Sequence, residues 1–389
     1  MQLSVIILNY NVRYFLELCI ISVQKALESI DGEIIVVDNN SPDDSCAMVK
    51  ARFPGITLIE NKENSGFPKG NNIGVGIAKG KYICILNPDT VVAEDTFAKA
   101  LAFAESKNNT GIVGVKFIDG TGNFLPESKR GLPTPWVALT KMSGLYKLFP
   151  KWSLFNKYYS QHLGENETGE TDILPGAFML IERQVYLDAG GFDEDYFMYG
   201  EDIDLSYTLQ KMGLHNYYFS GTAIIHYKGE STVRDAAYME RFTGAMRFFY
   251  KKHFGGAVIM DVFLRAGSSL FIQSKKRKAA AVITPENYLL ISKDEELCRL
   301  LEQQIGKKVV RFGQYERSAI PSPNSPTQII LDNALLPFGE IIALIQNHKH
   351  KAYTFRIKPA GCDFIIGSDS SDSRGTIVLV DSSAGEKTL

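Results

Sequence analysis

Along residues 3–89, short apolar runs alternate with segments of helical period, and the runs end on amides or acids. "LSVIILNY", "GEIIVVD", "ITLIEN" and "KYICILNPD" read as strands, being rich in β-branched residues with few polar ones. Between them, "RYFLELCIISVQKALES" places apolar residues at helical spacing. "DDSCAMVKARFP" is a helix with Asp43 or Asp44 as N-cap that closes before Pro54, and "KGNNIGVGIAKG" is a glycine-rich helix start. Continuous apolar strands separated by helices predict an α/β fold with a mostly parallel central sheet covered on both faces. Ligands of such sheets bind outside the carboxyl ends of the strands. The polar strand ends are Asn9–Asn11, Asp38–Ser41, Asn61–Asn64 and Asn87–Asp89, and they are expected to open onto one crevice.

From about residue 111 to 230 the pattern is less regular. "GLPTPWVALTKMSGLYKLFPKWSLFNKYYS" is aromatic, punctuated by Pro and Gly, and reads as a mobile loop or lid. Order returns at "GAFMLIE", a strand, followed by a helix, a turn at Gly190–Gly191, and a helix from Glu201 to about Met212. "HNYYFSGTAIIHYKGEST" is a strand that ends at His226. Residues 236–273 read as helical, and "KKRK" at 275–278 marks a boundary. Beyond it a smaller Rossmann-like α/β unit is expected, with strands at "YLLIS", "KVVRF", "TQIILDN", "AYTFRI", "DFIIGS" and "TIVLV". The expected division is 1–255, a connecting segment 256–283, and 284–389.

Composition narrows the classes. A chain of 389 residues suits one large domain plus a smaller one. The 45% hydrophobic and 22% charged content is that of a soluble globular protein. A net charge of −2 gives no global field to attract nucleic acid or a membrane. The five cysteines are odd in number and form no C-x-x-C pair, which argues for a reducing cytoplasm over a disulfide framework or zinc site. The N-terminus has no basic region ahead of its apolar run, so no signal peptide is expected. The best candidate span, "GAVIMDVFLRAGSSLFIQ", is broken by Asp261 and Arg265.

Six blocks then occur in order: "SVIILNYN", "EIIVVDNNSPDDS", "NSGFPKGNNIG", "ILNPDTVV", "PGAFMLIERQVYLDAGGFDEDYFMYGEDIDLSYTLQKMG" and "HYKGEST". Together they resemble the inverting, nucleotide-sugar-dependent glycosyltransferases of family 2, with the GT-A fold. The set is most similar to the bacterial rhamnosyltransferase-like branch. The resemblance covers roughly residues 1–255 and rests on the ordered set, not on any one block. It implies a nucleotide-diphospho-sugar donor, a glycan or polyprenyl-linked glycan acceptor, and a role in bacterial surface polysaccharide synthesis.

That chemistry has three requirements. The leaving diphosphate needs positive charge, from a divalent metal (Mn2+ or Mg2+) or basic side chains. The acceptor hydroxyl needs a carboxylate base. The nucleoside needs a crevice with a few fixed hydrogen-bonding groups. The resemblance assigns Asp38 to the base or ribose of the donor, and an ionised carboxylate suits an imide N–H or a ribose hydroxyl. An Asx-turn or helix cap is the common alternative for such an acid. Here Pro42–Asp43–Asp44 already supply the cap, which leaves Asp38 without a capping job. The same donor crevice is expected to include Asn9, Asn11, Asn40 and Asn87, with Gly66, Lys69, Gly70 and Asn71 of the glycine-rich stretch. There glycines allow close backbone approach, and the helix aims free N–H groups at an anion. A flexible turn is the plain alternative.

"NPD" stands where the family has D-x-D, with Asn87 in place of the first acid. Asp89 is the expected metal ligand, and His226 matches the family's second ligand. The alternatives are a strand-ending turn for the first and a hydrogen-bonded packing residue for the second. Lys228 and Arg234 are candidate phosphate contacts or solvated surface charges. In "GEDIDL", Asp202 matches the family's catalytic base. Glu201 is a candidate acceptor or phosphate contact, although Glu201 and Asp204 also suit a first helical turn. Gly176 and Ala177 of "PGAF" either leave room for a sugar between donor and acceptor or pack tightly under the sheet.

Residues 257–273 with the following "KKRK" read in two ways. One is an amphipathic segment making peripheral contact with the inner face of the cytoplasmic membrane; the other is a helix packed on the first domain. The unit 284–389 has Lys293 and Asp294 where a G-x-G-x-x-G loop would place its glycines, so no dinucleotide is expected. A scaffold or homo-oligomer role is the expectation for it. Two competing readings concern the whole chain. A nucleotidyltransferase should carry a basic glycine-rich loop near the first strand, and "LNYNVRYFLEL" has no glycine. An inactive nucleotide-sugar-binding scaffold is favoured by Asn87 and opposed by Asp89, Asp202 and His226 together.

Overall fold

The computed structural model describes residues 1–134, 136–137, 152, 159–228, 236–255, 284–315, 320, 324–370 and 374–380. The "KKRK" segment, Arg234 and the stretch 257–273 lie outside the described residues, as does most of the aromatic loop at 135–158.

The alternation predicted for the first part is present. It runs β1 (Leu3–Asn9), α1 (Arg13–Ala26), β2 (Gly32–Asp38), α2 (Ser45–Arg52), β3 (Thr57–Glu60), α3 (Gly66–Ile77) and β4 (Tyr82–Leu86). These strands lie parallel in the order β3-β2-β1-β4. Every residue of β1 is buried, as a central strand covered on both faces requires. Because all four run the same way, Asn9 pairs in register with Asp38, and Asp38 with Glu60, at one edge of the sheet.

The irregular stretch holds more structure than its pattern suggests. It begins with β5 (Thr90–Val91), α4 (Thr96–Glu105), β6 (Thr110–Ile118) and β7 (Gly169–Glu170). Then come β8 (Phe178–Glu182), α5 (Arg183–Asp188), α6 (Glu201–Lys211), β9 (His215–His226) and α7 (Ala236–Phe254). β8 inserts antiparallel between β4 and β6, β9 runs parallel to β6, and β5 and β7 pair antiparallel with β9. The sheet therefore has a parallel half and a mixed half. The switch places the start of β8 against the end of β4, with Leu86 opposite Phe178.

A second sheet follows. It is built from β10 (Asn287–Ile291), α8 (Glu295–Ile305), β11 (Val309–Phe312), β12 (Thr327–Asp332), α9 (Phe338–Asn347), β13 (Tyr353–Lys358), β14 (Phe364–Gly367) and β15 (Thr376–Leu379). Its order is β11-β10-β12-β13-β14-β15, with β14 and β15 antiparallel. One apolar cluster joins it to the first sheet: Phe15, Val91, Ile225 and Tyr227 pack with Ile329, Phe338 and Phe355. Polar contacts fix the docking. The Glu94 carboxylate accepts from Phe338 N (2.6 Å) and Gly339 N (2.9 Å), an acid at the N-terminus of α9. Arg52 pairs with buried Glu17 and donates to Gly361 O at 2.9 Å. No described helix is long and apolar enough to cross a membrane.

Candidate active site

The parallel strand ends do form one wall. Asn9 Nδ2 donates to Asp38 Oδ1 (2.7 Å) and to Ser41 Oγ (3.1 Å), and the Asn9 Oδ1 atom is buried without a hydrogen-bond partner. Asp38 is 2% exposed. It also accepts from Ser41 N (2.8 Å) and Ser41 Oγ (2.6 Å). Asp38 thus closes an Asx-turn, the alternative weighed for it, and the turn holds its carboxylate in place. The first N–H of α2 is met by Asp43, whose Oδ1 accepts from Ser45 N and Ser45 Oγ, while Asp44 occupies the N-cap position without a capping hydrogen bond and pairs with Arg13 instead. Asn11 and Asn40 are exposed and adopt left-handed backbone, with φ of 58° and 61°. They turn the chain sharply at the rim, where the Asn11 N–H donates to Ser41 Oγ at 2.9 Å.

The glycine-rich stretch is corrected more strongly. Gly66 has φ +82°, and a Cβ there would sit 2.4 Å from Phe197 O, to which Phe67 N donates at 2.8 Å. A Cβ on Gly70 would meet Leu8 Cδ1 at 2.4 Å. These glycines let α3 approach β1 and the loop before α6; the space they free is filled by protein rather than left for a ligand. Asn71 is buried and bonds its own helix at Phe67 O, and Lys69 is exposed. Gly66→Ala is expected to cost at least about 2 kcal/mol of stability, from left-handed strain plus the clash. A denaturant midpoint equal to that of the wild type would contradict the fit.

Asn39 was missed by sequence reasoning. It is 2% exposed and bonds Gly66 O, Asn61, Asn64 and Ser65, tying the β3–α3 loop to the end of β2. The only signal was its place in "DNNS".

Asp89 and His226 meet across the β5–β9 ladder, where Thr90 pairs with His226. His226 Nε2 lies 3.4 Å from Asp89 Oδ1, and both residues are buried. Adjacent donors on an octahedral cation with bonds of about 2.1 Å stand about 3 Å apart, so the pair fits one divalent ion. His226 Nδ1 and Asn87 Oδ1 are buried without hydrogen-bond partners. Among the described residues no group of three or more His, Cys, Asp or Glu is placed to hold a metal. The remaining positions of such an ion would fall to water and diphosphate oxygens. Lys228 does not stand free for phosphate: it pairs with Glu127. Burial acts to raise the Glu127 pKa, but the Lys228 ammonium and its hydrogen bond outweigh it and hold the carboxyl below its ordinary value.

Gly176 and Ala177 link this end of the sheet to Asp202. Asn87 N donates to Ala177 O at 3.1 Å, and a Cβ on Gly176 would meet the Phe67 ring at 3.1 Å and Asp202 Cβ at 3.9 Å, so the glycine packs closely here, as the second of its two expected readings has it. Asp202 sits in the first turn of α6 behind Gly200, whose φ of +92° turns the chain into the helix. Its carboxylate accepts from Ile203 N (2.8 Å) and pairs with Arg130. Backbone bonds of Arg130 with Ile173 hold that arginine beside α6. Sequence reasoning missed Arg130 because its partner lies far along the chain.

Glu201 is 6% exposed, and its Oε2 is buried without a hydrogen-bond partner. Burial first, then the Asp202 charge, push its pKa up to about 8. The folded chain therefore holds a proton that the unfolded chain releases near 4.5. Stability from this source is full below that pH and is lost as pH rises through about 8. Glu201→Gln should flatten the decline in denaturant midpoint between about pH 5 and pH 8; an unchanged slope contradicts it.

Comparison with known proteins gives the family of the region that holds the first strands. Residues 4–188 match the model for "Glycosyl transferase family 2". The chain is 27% identical over 254 residues to the N-acetylglucosaminyl-diphospho-decaprenol L-rhamnosyltransferase of Mycobacterium tuberculosis, covering 60% of this chain and 79% of that protein. It is 29% identical over 221 residues to the rhamnosyltransferase WbbL of Escherichia coli, covering 53% and 78%. Among solved structures, a mannosyltransferase from Pyrobaculum calidifontis in complex with GDP-Man and Mn2+ aligns with a TM-score of 0.45 at 17% identity, over 72% of this chain and 76% of that one. Residues 4–188 are thus a family 2 glycosyltransferase domain, and the chain is a glycosyltransferase.

Proposed function

We propose that the chain moves a sugar, with inversion at its anomeric carbon, from a nucleotide-diphosphate donor to a hydroxyl of a polyprenyl-linked glycan in bacterial surface polysaccharide synthesis. The observation that carries this reading is the chain of contacts from Asp89 and His226, through Asn87 and Ala177, to Gly176 beside Asp202. It links a metal-fitting pair to a carboxylate through one short stretch of chain. The polyprenyl carrier is favoured because the mycobacterial relative is named for a decaprenol-linked substrate. With a membrane-held acceptor, the enzyme acts at the inner face of the cytoplasmic membrane.

In this reading the turn of Asp38, Ser41 and Asn9 holds the nucleoside. A divalent cation, Mn2+ or Mg2+, held by Asp89 and His226 would supply positive charge to the leaving diphosphate. Asp202 takes the proton of the acceptor hydroxyl as its oxygen bonds the anomeric carbon and the bond to the diphosphate breaks. Arg130 fixes the direction of that carboxylate. Titration calorimetry with a panel of nucleoside diphosphates tests the reading. At least one should bind, and Mn2+ should tighten it about tenfold or more. No binding across the whole panel, with and without Mn2+, would overturn it.

A further inference from the structure

The second sheet carries a crevice of its own. Its parallel strands run in the order β11-β10-β12-β13, so the chain leaves β10 toward β11 on one side and returns to β12 on the other. That reversal is the topological switch point at which open α/β sheets bind ligands, outside the carboxyl ends of the strands. A cavity of about 660 Å3 opens there, within the size range of small-molecule sites. It is lined from the three strand ends by Lys293, Asp332, Leu335, Lys358 and Gly361, among others.

The lining is specific in its chemistry. Lys293 is exposed, and its ammonium has no hydrogen bond or ion pair among the described residues. Lys358, at the end of β13, reaches the carbonyls of Pro359 and Cys362. Asp294 also borders the cavity, but its carboxylate is engaged as the cap of α8, accepting from Leu297 N at 3.0 Å. Asp332 is 5% exposed and ends β12. It accepts from Ser292 Oγ at one oxygen and from Ala334 N at 2.9 Å at the other. A carboxylate has about four acceptor sites, so two remain beyond these bonds on a residue that lines the cavity. The first turn, "ISKDEE", has no glycine to let backbone approach a pyrophosphate.

We propose that this crevice binds a small phosphorylated polyol, such as a sugar phosphate, with Lys293 and Lys358 on the single phosphate and Asp332 on a hydroxyl. The site is separate from the donor crevice, and its residues serve no step of the transfer. Two lysines supply charge for a single phosphate, and the buried acid supplies the acceptor that distinguishes a polyol from the bare anion.

The test uses the full chain with ribose 5-phosphate and inorganic phosphate as probes, read by calorimetry and by amide hydrogen exchange. Ribose 5-phosphate should bind saturably and more tightly than phosphate, with exchange protection at 292–297, 332–335 and 358–361. Lys293→Glu and Leu335→Trp should each weaken it by at least about tenfold. Lys293→Glu keeps every hydrogen bond described for the fold, so a loss there reads the site and not unfolding. The proposal is overturned by the absence of saturable binding, by affinity unchanged in both variants, or by protection confined to 38–41 and 226–228.

Discussion

Asp202→Asn is expected to lower the transfer rate by about 10^2–10^4-fold while nucleoside diphosphate affinity stays within about twofold of the wild type. The amide keeps the shape of the side chain and can still accept from Ile203 N. It cannot take a proton from the acceptor hydroxyl. Among the described residues Asp202 has no hydrogen bond or ion pair with Asn9, Asp38 or Ser41, so donor binding has no reason to follow the rate. Turnover retained near the wild-type level would remove the residue from the role of base. Equal losses of rate and donor affinity would instead mark the Asp202–Arg130 pair as part of the framework of α6.

The second large effect falls on the metal-fitting pair. Asp89→Asn and His226→Gln are each expected to cut Mn2+-supported transfer by about 10^2-fold or more. Both variants should abolish the tightening of nucleoside diphosphate binding by Mn2+, and removal of divalent ions from the wild type should mimic them. The reason is the small number of protein donors: with two ligands placed 3.4 Å apart, losing one halves what the protein contributes. Near-isosteric substitutions are chosen because both positions are buried against β5 and β9. Stimulation by Mn2+ that persists unchanged in both variants would show that the pair does not hold the ion.

The parallel half of the fold was legible because its strands announce themselves twice, by apolar runs and by the amides and acids that stop them. Asn9, Asp38 and Asp89 lie at those stops, at the carboxyl ends of the parallel strands. The mixed half was legible in part: the strand at "GAFMLIE", the helix from Glu201 and the strand ending at His226 are where their patterns put them, while β6 and the strand directions were not readable, for identifiable reasons. β6 contains Gly111 and Gly114, which weaken a strand pattern. In the fold, a Cβ on the first would meet Asn216 Oδ1 at 2.6 Å, and on the second Leu174 Cδ2 at 2.5 Å. The glycines mark close approaches that no local pattern encodes. β8 is apolar throughout its inner positions, so its antiparallel direction is invisible to periodicity.

Within the site, residue types were easier to read than their partners. The sequence placed Asp38 on a strand end, but not the Ser41 hydroxyl that locks it. It marked Gly66 and Gly70 as positions where something comes close, and the something is Phe197 and Leu8. It marked Asp202, but Arg130 reaches it through a backbone bridge to Ile173 that only the folded chain creates. Lys228 reads as a free cation until Glu127 is brought beside it.

The central claim is that Asp89 and His226 hold one divalent ion against a diphosphate at the mouth of the Asp38 wall. Anomalous diffraction from crystals grown with Mn2+ and a nucleoside diphosphate tests it most directly. The account predicts one manganese peak within about 2.1–2.3 Å of Asp89 and His226 Nε2, bonded to the diphosphate, with the nucleoside against Asp38 and the open side of the site facing Gly176 and Asp202. A manganese ion bound elsewhere, or a nucleotide seated away from these strand ends, would contradict it.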